Sequence, residues 1–172
     1  PLAMIKYGLH KQGIELSELD VIDAGDVDAI NRAFREGQGD YVHMQGPAPQ
    51  QMERDGIASV VAVVGDAVGP VAFSSLCASR EWLETEQAKA FCQAYQASLE
   101  YVIQAPADEI AAREQEAGFF PEIDRNVLSA TINAYKRLNC WQLDMEISQE
   151  SYENLLDVFL HSSAISRRYA YD

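Results

Sequence analysis

Residues 37–49, Gly-Gln-Gly-Asp-Tyr-Val-His-Met-Gln-Gly-Pro-Ala-Pro, constrain the fold more than any other stretch of this chain. Gly37 ends a helical pattern, Tyr41 to Met44 reads as a short buried strand, and Gly46-Pro47 makes a turn that opens a new helix. In an open α/β sheet such a turn lies at the carboxyl end of a strand, where these folds place their ligands. The stretch therefore points to a fold class and to a site together.

The flanking patterns extend this reading. Leu2, Ile5 and Leu9 share a helical face that Gly13 ends, and Asp20 to Asp23 reads as a strand. Asp26 caps a helix with Val27, Ile30 and Phe34 on its core face, and Gly37 terminates it. Pro47 starts a short helix through Glu53. Residues 59–64, Ser-Val-Val-Ala-Val-Val, are apolar throughout, as a strand covered on both faces is. A loop over 65–70 leads to a further strand over 71–78. Beyond it the pattern is helical only. Helices are expected over 86–104, with Phe91, Tyr95, Leu99 and Val102 inward, and over about 107–116. A third starts after Asp124, with Leu128, Ile132 and Tyr135 inward, and the last covers 149–161, with Tyr152, Leu155, Leu156 and Phe159 inward. Strands alternating with helices predict an α/β unit with right-handed crossovers over residues 1–78, followed by a helical part over 79–172. Four strands are a modest sheet for so much helix, so part of the sheet is expected to be missing or supplied by another chain.

Charge narrows the partners. Asp and Glu outnumber Lys and Arg 27 to 13, giving a formal net charge of −14, which argues against binding a phosphate backbone. No apolar run approaches the roughly 18 residues that a membrane-spanning helix needs. The chain begins at Pro1 already inside a helical pattern, so the native start is expected upstream. Cys77, Cys92 and Cys140 have no metal-ligand or Cys-x-x-Cys spacing and read as small buried hydrophobes, with one disulfide left open. His10, His43 and His161 are scattered, and no spacing supports metal ligation. Ser74, Ser75 and Cys77 lie outside any nucleophile elbow, and neither a phosphate loop nor a dinucleotide fingerprint occurs. No catalytic residue, metal or cofactor is therefore expected.

Seven short motifs, in order, resemble the second half of type II periplasmic binding proteins, the solute receptors of ABC importers. The similar class serves nitrate, sulfonates, taurine and thiamine-precursor pyrimidines. The motifs are Gly37-Gln-Gly-Asp40 with Met44-Gln-Gly-Pro47, Gly65-Asp66, and Gly69-Pro-Val-Ala-Phe-Ser74. Ser79-Arg-Glu-Trp-Leu83, Ala90-Phe-Cys-Gln-Ala-Tyr95, Phe120-Pro-Glu-Ile-Asp124, and Cys140-Trp141 with His161-Ser-Ser-Ala-Ile165 follow. Where the family usually has Trp-Glu this chain has Met44-Gln45, so the stacking partner and the negative charge are both absent.

The resemblance implies a periplasmic, non-enzymatic binding protein that captures a small polar or anionic solute between two lobes. An ABC permease would be its partner and its only link to the membrane. This chain would be the C-terminal portion: the cleft-lining α/β lobe of the type II periplasmic-binding-protein kind, a βαβ sheet with flanking helices, and the helices that return to the first lobe. Exposed apolar helix faces would then drive self-association, with a homo-oligomer as one outcome.

Three turns present backbone donors suited to such a ligand: Pro1-Leu2 at the first helix start, Met44-Gln45-Gly46-Pro47, and Gly69-Pro70, with Phe73 and Tyr41 available to stack. Read without the family, they are also consistent with ordinary tight turns and core aromatics. Two other functions share related folds. One is an enzyme of the thiamine-pyrimidine-synthase branch, for which His43 is the candidate reactive group. The other is the ligand-sensing module of a transcription regulator.

Overall fold

A computed structural model describes residues 2–171. Among them the helices are α1 (Leu2–Lys11), α2 (Val27–Arg35), α3 (Ala48–Arg54), α4 (Val64–Val68), α5 (Arg80–Leu83), α6 (Glu86–Gln104), α7 (Ala107–Glu116), α8 (Arg125–Arg137) and α9 (Gln149–His161). A single 3-10 turn covers Leu16–Glu18. The helix boundaries follow the capping chemistry of the sequence. Asp26 Oδ1 accepts the Ala29 N–H at 2.8 Å, Thr85 Oγ1 the Ala88 N–H at 3.2 Å, and Ser148 Oγ the Ser151 N–H at 3.1 Å. Gly13 and Gly37 close α1 and α2 in the left-handed region, at φ 76° and 85°.

The expected α/β fold is not formed. The described residues contain helices, turns and irregular segments and no strand. The segments read as strands, 20–23, 41–44, 59–64 and 71–78, are non-helical except at Val64, but no ladder of backbone hydrogen bonds joins them. A strand exists only through its partner's N–H and C=O groups, and the described residues bring no such partner alongside. Tyr41, in the segment expected as a short buried strand, is 83% exposed, and Val61 is 75% exposed in the segment 59–64, expected to be covered on both faces. Its last residue, Val64, opens α4 in place of the expected loop. Phe91 and Tyr95 are likewise exposed on α6, stacked on each other at 6.1 Å, with Trp82 edge-on to Phe91 at 6.0 Å. Cys77, Cys92 and Cys140 lie exposed rather than in a core.

The chain forms two compact units. The first comprises residues up to Val42, Val61–Ser75 and the residues from Glu146 onward, and the second His43–Val60 and Leu76–Met145.

In the first unit α1 packs on α4 and α9. Gly8 is buried there, and a methyl at its Cβ position would sit 3.5–3.7 Å from Val68, Ala67 and Val64 side chains, in ordinary contact. Val68, Leu156 and Val158 are buried with it. Lys11 Nζ donates to the Val68 carbonyl at 3.3 Å, satisfying a group at the end of α4. Asn154 Nδ2 donates to the Pro70 carbonyl at 2.9 Å, and Arg168 pairs with Asp157.

In the second unit the principal packing is α7 against α8. Its core holds Ala105, Ala107, Ile110, Ala111, Leu128 and Ile132, with Tyr101, Val102, Ile123 and Trp141 against it. Small side chains on α7 let the two backbones approach, and Leu128 and Ile132 lie one turn apart on α8. Lys136 Nζ donates to the Ile103 carbonyl at 3.2 Å and to that of Ala105, closing the C-terminal end of α6.

Two substitutions test this packing by urea denaturation. Leu128→Ala should cost about 2–5 kcal/mol, the range for leaving a cavity of this size. Gly8→Ala should stabilise by about 0.5–1 kcal/mol, since the site accepts a methyl and a helical glycine carries excess backbone entropy.

Candidate functional site

Of the turns expected to face a ligand, the one at residues 44–47 is held by the most contacts from a distant helix. Pro47 is the N-cap of α3 and follows Gly46 through a cis peptide bond. The Gly46 N–H donates to Tyr135 Oη at 3.1 Å, which leaves that hydroxyl's own proton for a second acceptor. A side chain at 46 has no room. Its Cβ would lie 2.7 Å from Thr131 Cγ2, 2.9 Å from Tyr135 Oη and 3.2 Å from Gln50 Oε1.

Thr131 is itself buried on α8. Its hydroxyl donates to the Val127 carbonyl at 2.8 Å and lies 3.3 Å from Gln50 Oε1. Tyr135 meets the Trp141 ring edge-on at 5.9 Å, which fixes the phenol. Glycine at 46 is thus required by α8, one turn of which supplies both Thr131 and Tyr135. Gln45 stands exposed beside this seat, Met44 and Pro47 are half-buried, and the Gln45 carbonyl accepts the Ala48 N–H at 3.3 Å.

Next to the turn, Gln50, Glu53, Arg54, Asn126, Val127 and Ala130 line a shallow open groove between α3 and α8. Arg54 pairs with Asp124, the residue that caps α8 by accepting the Asn126 N–H at 2.8 Å. The Arg54 hydrogen bond leads in holding the Asp124 carboxyl below its usual range, with the Asn126 N–H adding to it. Asp124 therefore stays ionised as pH falls, and its contribution to the cap is lost only through its own lowered pKa. His43, two residues before Gln45, is half-buried, and that burial pushes its pKa below the usual 6.5. The imidazole is therefore neutral at pH 7.

The remaining expected residues belong to the first unit. Leu2 is exposed at the start of α1, and Pro1 lies outside the described residues. Gly69 follows α4 in the left-handed region at φ 88°. Pro70 and Phe73 are exposed, and the segment is tied to α9 by Asn154 and by the Ala72 N–H donating to the Ser151 carbonyl at 3.1 Å. Gly69, Pro70 and Phe73 are thus presented as one short segment, and Met44 to Pro47 as another.

Sequence reading missed the residues that hold these turns. Tyr135 reads only as an inward position of a helix, while Thr131 and Asn154 carry no signal of their own. Their i, i+4 relation on α8 pairs Thr131 with Tyr135, but the partner turn lies over 80 residues away.

A family profile described as NMT1/THI5 like matches residues 2–109. The chain belongs to this family, one of substrate-binding proteins that also includes a synthase. It is also 25% identical over 175 residues to a protein of Bacillus subtilis (strain 168) named "Putative binding protein YtlA", in a match covering all of this chain. The chain spans about half of that relative's length, 52%. No solved structure matches it.

Two measurements test the seat. Gly46→Ala should destabilise the protein by about 1–3 kcal/mol, as overpacking does, and Thr131→Ser, which removes one clashing methyl and keeps the hydroxyl, should recover only part of that loss, because the 2.9 Å approach to Tyr135 Oη remains. In an NMR titration the His43 ring signals should move with a midpoint below 6.5. Because the unfolded state binds that proton first, His43 lowers stability as pH falls below about 6.5, and a His43→Asn variant should show a flatter decline there.

Proposed function

We propose that this chain is the C-terminal, ligand-binding portion of a substrate-binding component of an ABC importer, which captures a small polar or anionic solute. The observation that carries the reading is the seat of Gly46 on Tyr135 and Thr131, which holds the turn rigid and leaves the Gln45 amide exposed beside it. A preformed turn of this kind binds without first having to be ordered, and an amide with a nearby phenol offers both a donor and an acceptor. Membership in a substrate-binding family supports a small-molecule ligand. In this proposal Met44, Gln45, Gly46 and Pro47 are the contact segment of the second unit, and Gly69, Pro70 and Phe73, with Leu2 at the helix start, are a separate candidate segment of the first.

The importer role, the permease partner and a periplasmic location belong to the same proposal, through the resemblance of the motifs. The other half of a polypeptide as long as the Bacillus relative would supply the facing lobe. It would also cover apolar segments such as 59–63 and 71–78, where Val61 and Leu76 are exposed. Ligand capture would then proceed by closure of the two lobes, with binding energy favouring the closed state.

His43 supports one second reading, a synthase-like activity, because its imidazole is neutral at pH 7 beside the turn and so able to act as a base or nucleophile. The two readings separate in one experiment. The chain is titrated with nitrate, taurine and an aminopyrimidine while heat release is recorded. Under the binding reading one of the three saturates the protein unchanged, Gln45→Ala weakens it by about five- to tenfold for a neutral ligand (a hydrogen bond being worth about 1–1.5 kcal/mol) and by about tenfold or more for an anion (about 1.5–3 kcal/mol), and His43→Ala does not. Conversion of a ligand that is lost in His43→Ala would replace binding by catalysis. Absence of saturable binding in all three would remove the proposed ligand class.

A further inference from the structure

We infer that His10, Glu15 and His161 form a binding site for a divalent transition-metal ion of the zinc type. The site belongs to the first unit, is separate from the Gln45 turn, and is independent of the importer reading. His10 lies in the last turn of α1 and His161 is the last residue of α9, and these helices pack together. The two imidazole rings are 4.4 Å apart between centroids, with planes inclined by 32°. Gly13, in the left-handed region, turns the chain back after α1, so that Glu15 Oε1 comes 2.6 Å from His10 Nδ1. The Glu15 backbone is held in place where its N–H donates to Glu18 Oε2 at 3.1 Å. One ligand atom from each of the three side chains lies within 4.8 Å of the other two.

The donor set selects the ion. Two imidazoles and one carboxylate suit zinc and its neighbours, whereas magnesium and calcium take oxygen ligands. Three protein ligands leave a fourth position to water. Bonds of about 2.0–2.1 Å in a tetrahedron place ligand atoms roughly 3.4 Å apart. His10 Nδ1 and Glu15 Oε1, at 2.6 Å, therefore have to move roughly 0.8 Å apart and exchange their hydrogen bond for the ion, while a pair at the 4.8 Å limit has to close by roughly 1.4 Å; all three side chains are exposed and able to rotate. Tyr7 supports His161 from one side, with ring centroids 5.6 Å apart. The net charge of −14 favours approach of a cation. Once bound, the ion would clamp the end of α1, the following turn and the end of α9, joining residues 151 positions apart. Such a clamp binds the folded unit and not the unfolded chain, so it stabilises by mass action.

Zinc itself is the probe. The full chain, stripped with a chelator, is titrated with Zn²⁺ against a chromophoric competitor and followed by NMR of the histidine rings. One zinc per chain is expected, with the His10 and His161 signals shifting, those of His43 unmoved, and a rise in melting temperature. His10→Ala and His161→Gln should each weaken binding by more than the roughly 10–100-fold that follows loss of an outer-sphere partner. Glu15→Gln should weaken it less, because an amide oxygen is a poorer ligand than a carboxylate. Circular dichroism without metal should be the same in all variants, since the three side chains are exposed. Cobalt in place of zinc should show no sulfur charge-transfer band. Binding unchanged in both histidine variants, a sulfur band from the exposed cysteines, or no stoichiometric binding would each overturn the assignment.

Discussion

The close seating of α7 on α8 is the contact on which the second unit depends. Ala107 and Ala111 keep the α7 side thin, with Ala105 just before it, and Ile110, Leu128 and Ile132 are buried between the helices. Once α8 is placed, its next face is placed with it. Thr131 and Tyr135 then stand where the chain at Gly46 must pass, and the absence of a side chain there is what allows the turn to lie against them. Asp124 and Arg54 tie the start of α8 to α3 from the other end. A hydrophobic contact between two helices therefore sets the geometry of a polar turn that is remote in sequence.

The first unit uses the same logic with different groups. α1 packs on both α4 and α9, with Gly8 buried in the contact, and the ends of α1 and α9 are thereby brought to one place. Their terminal histidines meet as a consequence of packing, since residues 10 and 161 have no relation along the chain. Lys11 and Asn154 cap the carbonyls at the end of α4 and at Pro70, which keeps the Gly69–Phe73 segment in place. In both units, then, the turns that carry candidate ligand contacts are held by side chains from a distant helix.

Much of the helical organisation was legible from residue order. Thr85 before 86–104, Asp124 before 125–137 and Ser148 before 149–161 each supply an oxygen to an N–H two or three residues on, and this is a local matter. The sheet was not legible in the same sense. Residues 59–64 have a composition that favours a covered strand, but covering and pairing are supplied by other segments, and composition cannot say whether those segments are present. Val61 is exposed here for that reason. The same applies to Phe91 and Tyr95, whose spacing on α6 marks a common face and not what lies against it.

The sequence by itself determined the starts and stops of most helices, though not of α4, together with the turn chemistry at Gly46-Pro47 and Gly69-Pro70 and the acidic balance. These depend on groups within a few residues of one another or on simple sums. Tertiary structure alone decided that Tyr135 and Thr131 hold the Gly46 turn, that His10, Glu15 and His161 meet, and that the apolar segments form no ladder. Each of these is a contact between groups far apart in the chain. Such contacts are set by how whole helices pack, and no local pattern of residues encodes that.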